Sequence, residues 1–254
     1  MLFDTHAHYD DEAFDADRDA VLAALPEKNV GLVVNPGCTV KSSRMAVALA
    51  ERYPHVYAAV GIHPETCGDF APEQMDEIRA LARHPKVVAV GEIGLDYYWP
   101  ENPPKELQRQ VLRRHMALAQ ELDLPVIIHD REAHADCLAA VADFPAVRGV
   151  FHCFSGSVEM ARELLKRGWM LSFNGAITFK NARKAPEVIA EIPMDRIMIE
   201  TDSPYLTPVP CRGKRNDSGY VHLVAERIAE IKGLSAGEVE RITWANGRRF
   251  FGID

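Results

Sequence analysis

Leu2-Phe3-Asp4-Thr5-His6-Ala7-His8 reads as one short buried strand that delivers two histidines to a single face. Side chains at i and i+2 of a strand point to the same side, so His6 and His8 project together. Two imidazoles aimed at one point in a core call for something that binds them, and a metal ion is the common partner. The same stretch bears on the fold. A doubly wound, dinucleotide-binding sheet places a glycine-rich phosphate turn after its first strand, where Asp4-Thr5-His6-Ala7-His8 stands instead. A lone H-x-H is a weak signal, because buried histidines bonded to backbone are frequent. Here it recurs: further apolar runs end in ligand-type residues at Glu92, His129, His152 and Asp202.

Strand-like runs at 2–6, 32–35, 56–62, 87–93, 126–129, 149–153, 170–174 and 196–202 alternate with amphipathic helical stretches. The helical stretches are 15–25, 41–52, 72–83, 104–122, 133–144, 157–167, 182–192 and 218–232. A last one, 235–250, opens on Ser235 with Glu238 three residues on, a capping-box pattern. Strands separated by helices pair in parallel, and eight such units close a (β/α)8 barrel. The expectation is an α/β chain of the TIM-barrel type: one domain over residues 1–254 with an extra C-terminal helix. A barrel gathers its chemistry at the C-terminal ends of its strands. Each of the six suspect residues falls at such an end, which a scatter of core histidines would not do.

Composition narrows the class. A hydrophobic fraction of 47% over 254 residues suffices for a full core, and no apolar stretch has transmembrane length. The chain opens on a strand instead of a basic and then apolar leader, so a cytoplasmic protein without membrane contact is expected, with a monomer as the default. Five scattered cysteines without a C-x-x-C read as reduced thiols, and Cys153 as a packed one. A net charge of −8 argues against coating nucleic acid through a general basic surface. It leaves room for a nuclease whose bound cations dominate the local field.

Four histidines and two carboxylates exceed the needs of one tetrahedral ion and suit two ions with a shared ligand. Glu92, with two oxygens and no lysine in its strand, is the natural bridge, and Asp202 is read as a ligand that also takes the proton of the attacking water. Blander readings compete: buried backbone-bonded imidazoles at His129 and His152, or an ion pair of Glu92 or Asp202 with Arg131. Glu200, on the face of Asp202, reads as a deeper structural carboxylate. His63 and Arg131 are taken as substrate contacts, as are Lys214 and Arg215 in the basic loop after strand eight; a second basic loop, 180–184, follows strand seven. Tyr97-Tyr98-Trp99 offers rings for base stacking, with one or two of them acting as loop anchors. His55, His84, His115 and His222 read as surface residues, and His134 stays open.

Taken together, D-T-H-A-H at 4–8, V-G-I-H-P at 60–64, G-E-I-G-L-D-Y-Y at 91–98, V-I-I-H-D-R at 126–131, G-V-F-H-C-F-S-G at 149–156, S-F-N-G-A-I-T-F-K at 172–180 and I-E-T-D-S-P-Y-L at 199–206 resemble the TatD family of metal-dependent deoxyribonucleases. The resemblance implies a TIM-type barrel, a divalent-metal site and phosphodiester cleavage, often 3′-to-5′ on single-stranded DNA. Residue by residue, it assigns the metal positions to His6, His8, Glu92, His129, His152 and Asp202. Asn216-Asp217-Ser218 departs from the family's asparagine–glutamate–proline pattern near the substrate mouth. The leading expectation is therefore a two-metal nuclease for DNA, with RNA as a further substrate, using magnesium, manganese or zinc. A barrel hydrolase of carboxylic esters or amides, such as an aminoacyl-tRNA deacylase, shares the ligand set. A metal-binding protein without catalysis is the third reading.

Overall fold

The computed structural model describes residues 1–253. Its strands are β1 (Leu2–Asp4), β2 (Val30–Pro36), β3 (Val56–Val60), β4 (Val87–Asp96), β5 (Val126–Arg131), β6 (Gly149–Phe151), β7 (Met170–Phe173) and β8 (Ile197–Ile199). The helices are α1 (Arg18–Ala24), α2 (Val40–Arg52), α3 (Pro72–Leu81), α4 (Lys105–Leu122), α5 (His134–Asp143), α6 (Val158–Lys166), α7 (Lys184–Glu191), α8 (Val221–Lys232) and α9 (Ala236–Phe251). The strand order follows the chain from β1 to β8 and the pairing is parallel, which is the expected (β/α)8 class. No helix among the described residues is long and apolar enough to cross a membrane. The residues group into two compact units: one of Met1–Asn35, Cys153–Lys166 and the chain from Met170 on, the other of Pro36–His152 and Arg167–Trp169.

In the first unit the core is built on β1 and the C-terminal helix. Phe3 packs edge-on to Trp244 and against Phe251 of α9, with ring centroids 6.2 and 5.8 Å away. Helix α9 comes that near because position 247 is glycine; a methyl group there would lie 2.5 Å from the Phe3 ring. Asn246 of the same helix donates its amide to the carbonyls of Met194 and Ile197, pinning α9 to the entry of β8. The capping box expected at Ser235 and Glu238 starts the helix, and Gly252 in the left-handed region ends it.

In the second unit β4 and β5 carry the site, and both run further than the sequence suggests. The expected ends at 93 and 129 become Asp96 and Arg131, so Glu92 and His129 lie within strands instead of at their ends. Two features of β4 account for this. Val90 pairs with Val126 but Ile93 with Ile128, so β4 carries one extra residue at Gly91-Glu92, a bulge that re-aims a side chain. Beyond it Gly94 adopts φ +147°, and a Cβ there would lie 1.9 Å from the His129 carbonyl oxygen. Without a side chain at 94 the ladder continues through Gly94–His129, Leu95–Asp130 and Asp96–Arg131.

Helix α4 buries Gln108, Val111, Leu112, His115, Met116, Leu118 and Ala119, a stripe at three- and four-residue spacing. His115 is therefore a core residue and not the surface residue expected; at the centre of that stripe an imidazole fills an apolar position. Its Nδ1 lies 2.8 Å from the Val111 carbonyl, and burial pulls its pKa down to about 4 against that hydrogen bond. A folded-state pKa below the unfolded 6.5 means that His115 favours folding fully above pH 6.5. That contribution is lost as pH falls from 6.5 towards 4, where the unfolded chain binds the extra proton. The unfolding midpoint in urea should drop over this range, with about 3 kcal/mol from this group. His115→Leu should remove that part of the slope; an equal slope in the variant would place its origin elsewhere.

Candidate functional site

The first unit gathers His6, His8 and Asp202. The strand expected to run through His6 ends at Asp4 and the chain bends at Thr5, yet the His6 and His8 Nε2 atoms converge to 3.1 Å. Asp202 Oδ1 lies 3.7 and 3.6 Å from those two nitrogens. Asp202 sits at φ +57°, a left-handed conformation that aspartate tolerates, and its N–H donates to the His6 carbonyl. Beneath them lies Asp4, fully buried, which accepts the N–H groups of His6 and Thr201 and the Thr201 hydroxyl. Burial outweighs those hydrogen bonds and raises the Asp4 pKa to about 7. Glu200 is the structural carboxylate expected: wholly buried, it accepts from the Cys153 N–H and the Asn174 amide. Cys153 itself lies past the end of β6 at φ +44° and is half-buried, so it is not the strand-packed thiol read from sequence.

The second unit builds a tighter cluster around Glu92, only 3% exposed. Its Oε1 lies 2.8 Å from His152 Nε2, 3.0 Å from His129 Nδ1 and 3.3 Å from His63 Nε2. The thiol of Cys38 approaches Oε2 at 3.9 Å. On the far side of the His129 ring, Nε2 lies 2.9 Å from Asp96 Oδ2, so this imidazole stands between two carboxylates. Burial pulls the His129 pKa down, but the bonds to Asp96 and Glu92 prevail and hold it near 9. At His63 burial prevails over the Glu92 carboxylate, and the ring is held at about 4, in the neutral form a ligand needs.

These spacings test the fit of a metal. Two donors each 2.0–2.1 Å from one ion lie roughly 2.8–3.4 Å apart for octahedral to tetrahedral angles. The separations within the Glu92 cluster, and the His6–His8 pair, match such polyhedron edges, and the Asp202 distances are slightly longer. Imidazole nitrogens with carboxylate oxygens are a donor set for zinc or manganese. His63, expected as a substrate contact, is thus placed among the donors, with Glu92 and His129. Asp96 was missed. Its signal was available: Glu92, Gly94 and Asp96 alternate along one face of β4.

The remaining candidates separate. The Arg131 guanidinium lies over the Tyr98 and Trp99 rings. Arg215 is committed to Asp17 by two hydrogen bonds of 2.8 and 2.7 Å and lies over Phe14. Lys214 is exposed beside it. His134 pairs with Asp130 at 2.8 Å. Asn216 is buried and ties the loop to the carbonyls of Thr201 and Tyr205, while Asp217 pairs with Lys28.

The family described as TatD related DNase matches residues 3–252. The chain is 46% identical over 256 residues to the uncharacterized metal-dependent hydrolase YabD of Bacillus subtilis (strain 168), covering 100% of both. It is 32% identical over 260 residues to the 3'-5' ssDNA/RNA exonuclease TatD of Salmonella typhimurium (strain LT2), covering 99% of each. Among solved structures, the TatD homolog YjjV of Escherichia coli K12 superimposes with a TM-score of 0.93 at 31% identity, covering 100% of this chain and 98% of that one.

Because a carboxylate behind a ligating histidine orients the ring, Asp96→Asn should weaken manganese binding by about 10- to 100-fold, read by isothermal titration calorimetry. Unchanged affinity in a variant of normal thermal stability would mean that packing alone holds His129.

Proposed function

We propose, since the chain belongs to the TatD related DNase family and is a metal-dependent hydrolase of that family, that it cleaves phosphodiester bonds of single-stranded DNA, and of RNA as well, from the 3′ end. The observation that carries this reading is the buried Glu92 carboxylate with three imidazole nitrogens within 3.3 Å. We assign His6, His8 and Asp202 to one divalent ion, and His63, His129 and His152 to a second. Glu92 is the carboxylate we assign beside those three imidazoles. When bound, such ions act as Lewis acids on a phosphoryl oxygen and lower the pKa of water towards neutrality. The imidazole-rich donors favour manganese or zinc over magnesium.

Around the ions the chain's own groups bind and orient. Asp202, the most accessible side chain of its cluster at 16%, is the carboxylate that takes the attacking water's proton. Asp96 holds the His129 ring at Nε2, and Asp4 holds the backbone of His6. Lys180, Arg183 and Lys184 after β7, with Arg212 and Lys214 after β8, are exposed cations suited to the phosphates of a polymer. Arg215 serves to fix its loop to Asp17. We keep a cytoplasmic location in the proposal on the state of the cysteines, none of which is in a disulfide.

The test is a manganese-supplemented assay on end-labelled single-stranded DNA, RNA and an aminoacyl ester. Shortening of the nucleic acids from the 3′ end is expected, with loss of at least about a thousandfold in kcat for Glu92→Gln and Asp202→Asn at equal metal occupancy. Hydrolysis of the ester alone would overturn the nuclease reading in favour of an ester or amide hydrolase. Turnover of none of them would leave a metal-binding protein. Lys214→Glu should raise KM for oligonucleotides several-fold at low salt and lose that effect at high salt, as screening of an exposed charge requires.

A further inference from the structure

The loop after β4 holds a feature that the metal donors do not use. Tyr98 and Trp99 are 49% and 42% exposed. Scattered exposed aromatics need no explanation. These two pack on each other, with ring centroids 4.6 Å apart and planes at 85°, and Arg131 covers both at 4.0 and 5.2 Å. Tyr97 has the opposite role and anchors the loop. Its hydroxyl donates to Asp136, Lys105 lies over its ring, and its N–H donates to the Arg131 carbonyl.

The exposed pair is rigidly tied to the Glu92 cluster. The Tyr98 N–H and the Asn102 amide both donate to Asp96 Oδ1, and Asp96 is the carboxylate behind His129. Asp96 and Arg131 are register partners. Arg131 and His129 share a face of β5 two residues apart, about 6.6 Å along the strand, a separation of nucleotide dimensions. An arginine used only for phosphate would not need two rings beneath it. A fixed π surface with a delocalised cation stacked on it is the chemistry that holds an unpaired base.

We propose that Tyr98, Trp99 and Arg131 form a stacking platform for the nucleobase next to the scissile phosphate. The inference rests on the nuclease reading and deepens it by naming what the substrate presents: a base free of its partner, of any sequence, since every base has a π face. Preorganisation by the Asp96 tethers means that little ordering is left to do on binding.

Two measurements test it. A phosphorothioate oligothymidylate, which resists hydrolysis, should quench tryptophan emission of the manganese-loaded protein, and Trp99→Leu should lose that quenching. Abasic phosphorothioate of the same length should quench far less. In steady state, KM for an oligonucleotide abasic at its 3′-terminal positions should exceed that of oligothymidylate by about tenfold. That ratio should fall close to one in Tyr98→Ala/Trp99→Leu and recover in Trp99→Phe. A ratio that survives the double substitution, or equal quenching by abasic and complete chains, overturns the platform. Failure to hydrolyse any oligonucleotide overturns the nuclease reading instead, and the fluorescence titration then still decides whether bases stack at Trp99.

Discussion

The structure turns on one buried carboxylate. Glu92 is removed from water with three imidazoles within 3.3 Å of its Oε1. Taking a charge out of water costs several kcal/mol unless partners with good geometry offset it. The surroundings are arranged to supply those partners. The extra residue in β4 turns the Glu92 side chain, Gly94 lets β5 approach, and Asp96 fixes the far nitrogen of His129. Each of these lies within five residues of Glu92 or on the neighbouring strand, so the cluster and the β4–β5 ladder stand or fall together.

The His6–His8–Asp202 set is built by a different device. Here the three residues lie in irregular backbone just past short strands, where no ladder orients them. Asp4 does that work by accepting the N–H groups of both His6 and Thr201, coupling the exits of β1 and β8. The Asp202 N–H returns a bond to the His6 carbonyl. A fully buried carboxyl with a pKa near 7 is costly to keep, and its retention is explained by the two segments it aligns.

Charge placement divides the rim residues by role. A basic residue in a loop counts towards substrate binding only if its charge is available. Arg215 commits its guanidinium to the Asp17 carboxylate and the Ala13 carbonyl, although in sequence it looks like any other cation near a site. Lys214 keeps its charge in solvent. The same division separates Tyr97, whose hydroxyl is bound, from the exposed Tyr98 and Trp99.

Element type and order were legible in the sequence to within a few residues, because the periods of helix and strand and the parity of neighbouring side chains are local properties. The capping box of the last helix and the structural role of Glu200 were legible for the same reason. Tertiary structure alone decided the rest. It brought His63 into the Glu92 cluster, put His115 in the core, extended β4 and β5 past Glu92 and His129, and joined Arg215 to Asp17, 198 residues away along the chain. Those outcomes depend on which distant groups meet and which water is excluded. A bulge, a glycine that admits a neighbouring carbonyl and a long-range ion pair leave no periodic trace in the sequence, so their consequences appear only when the chain is folded.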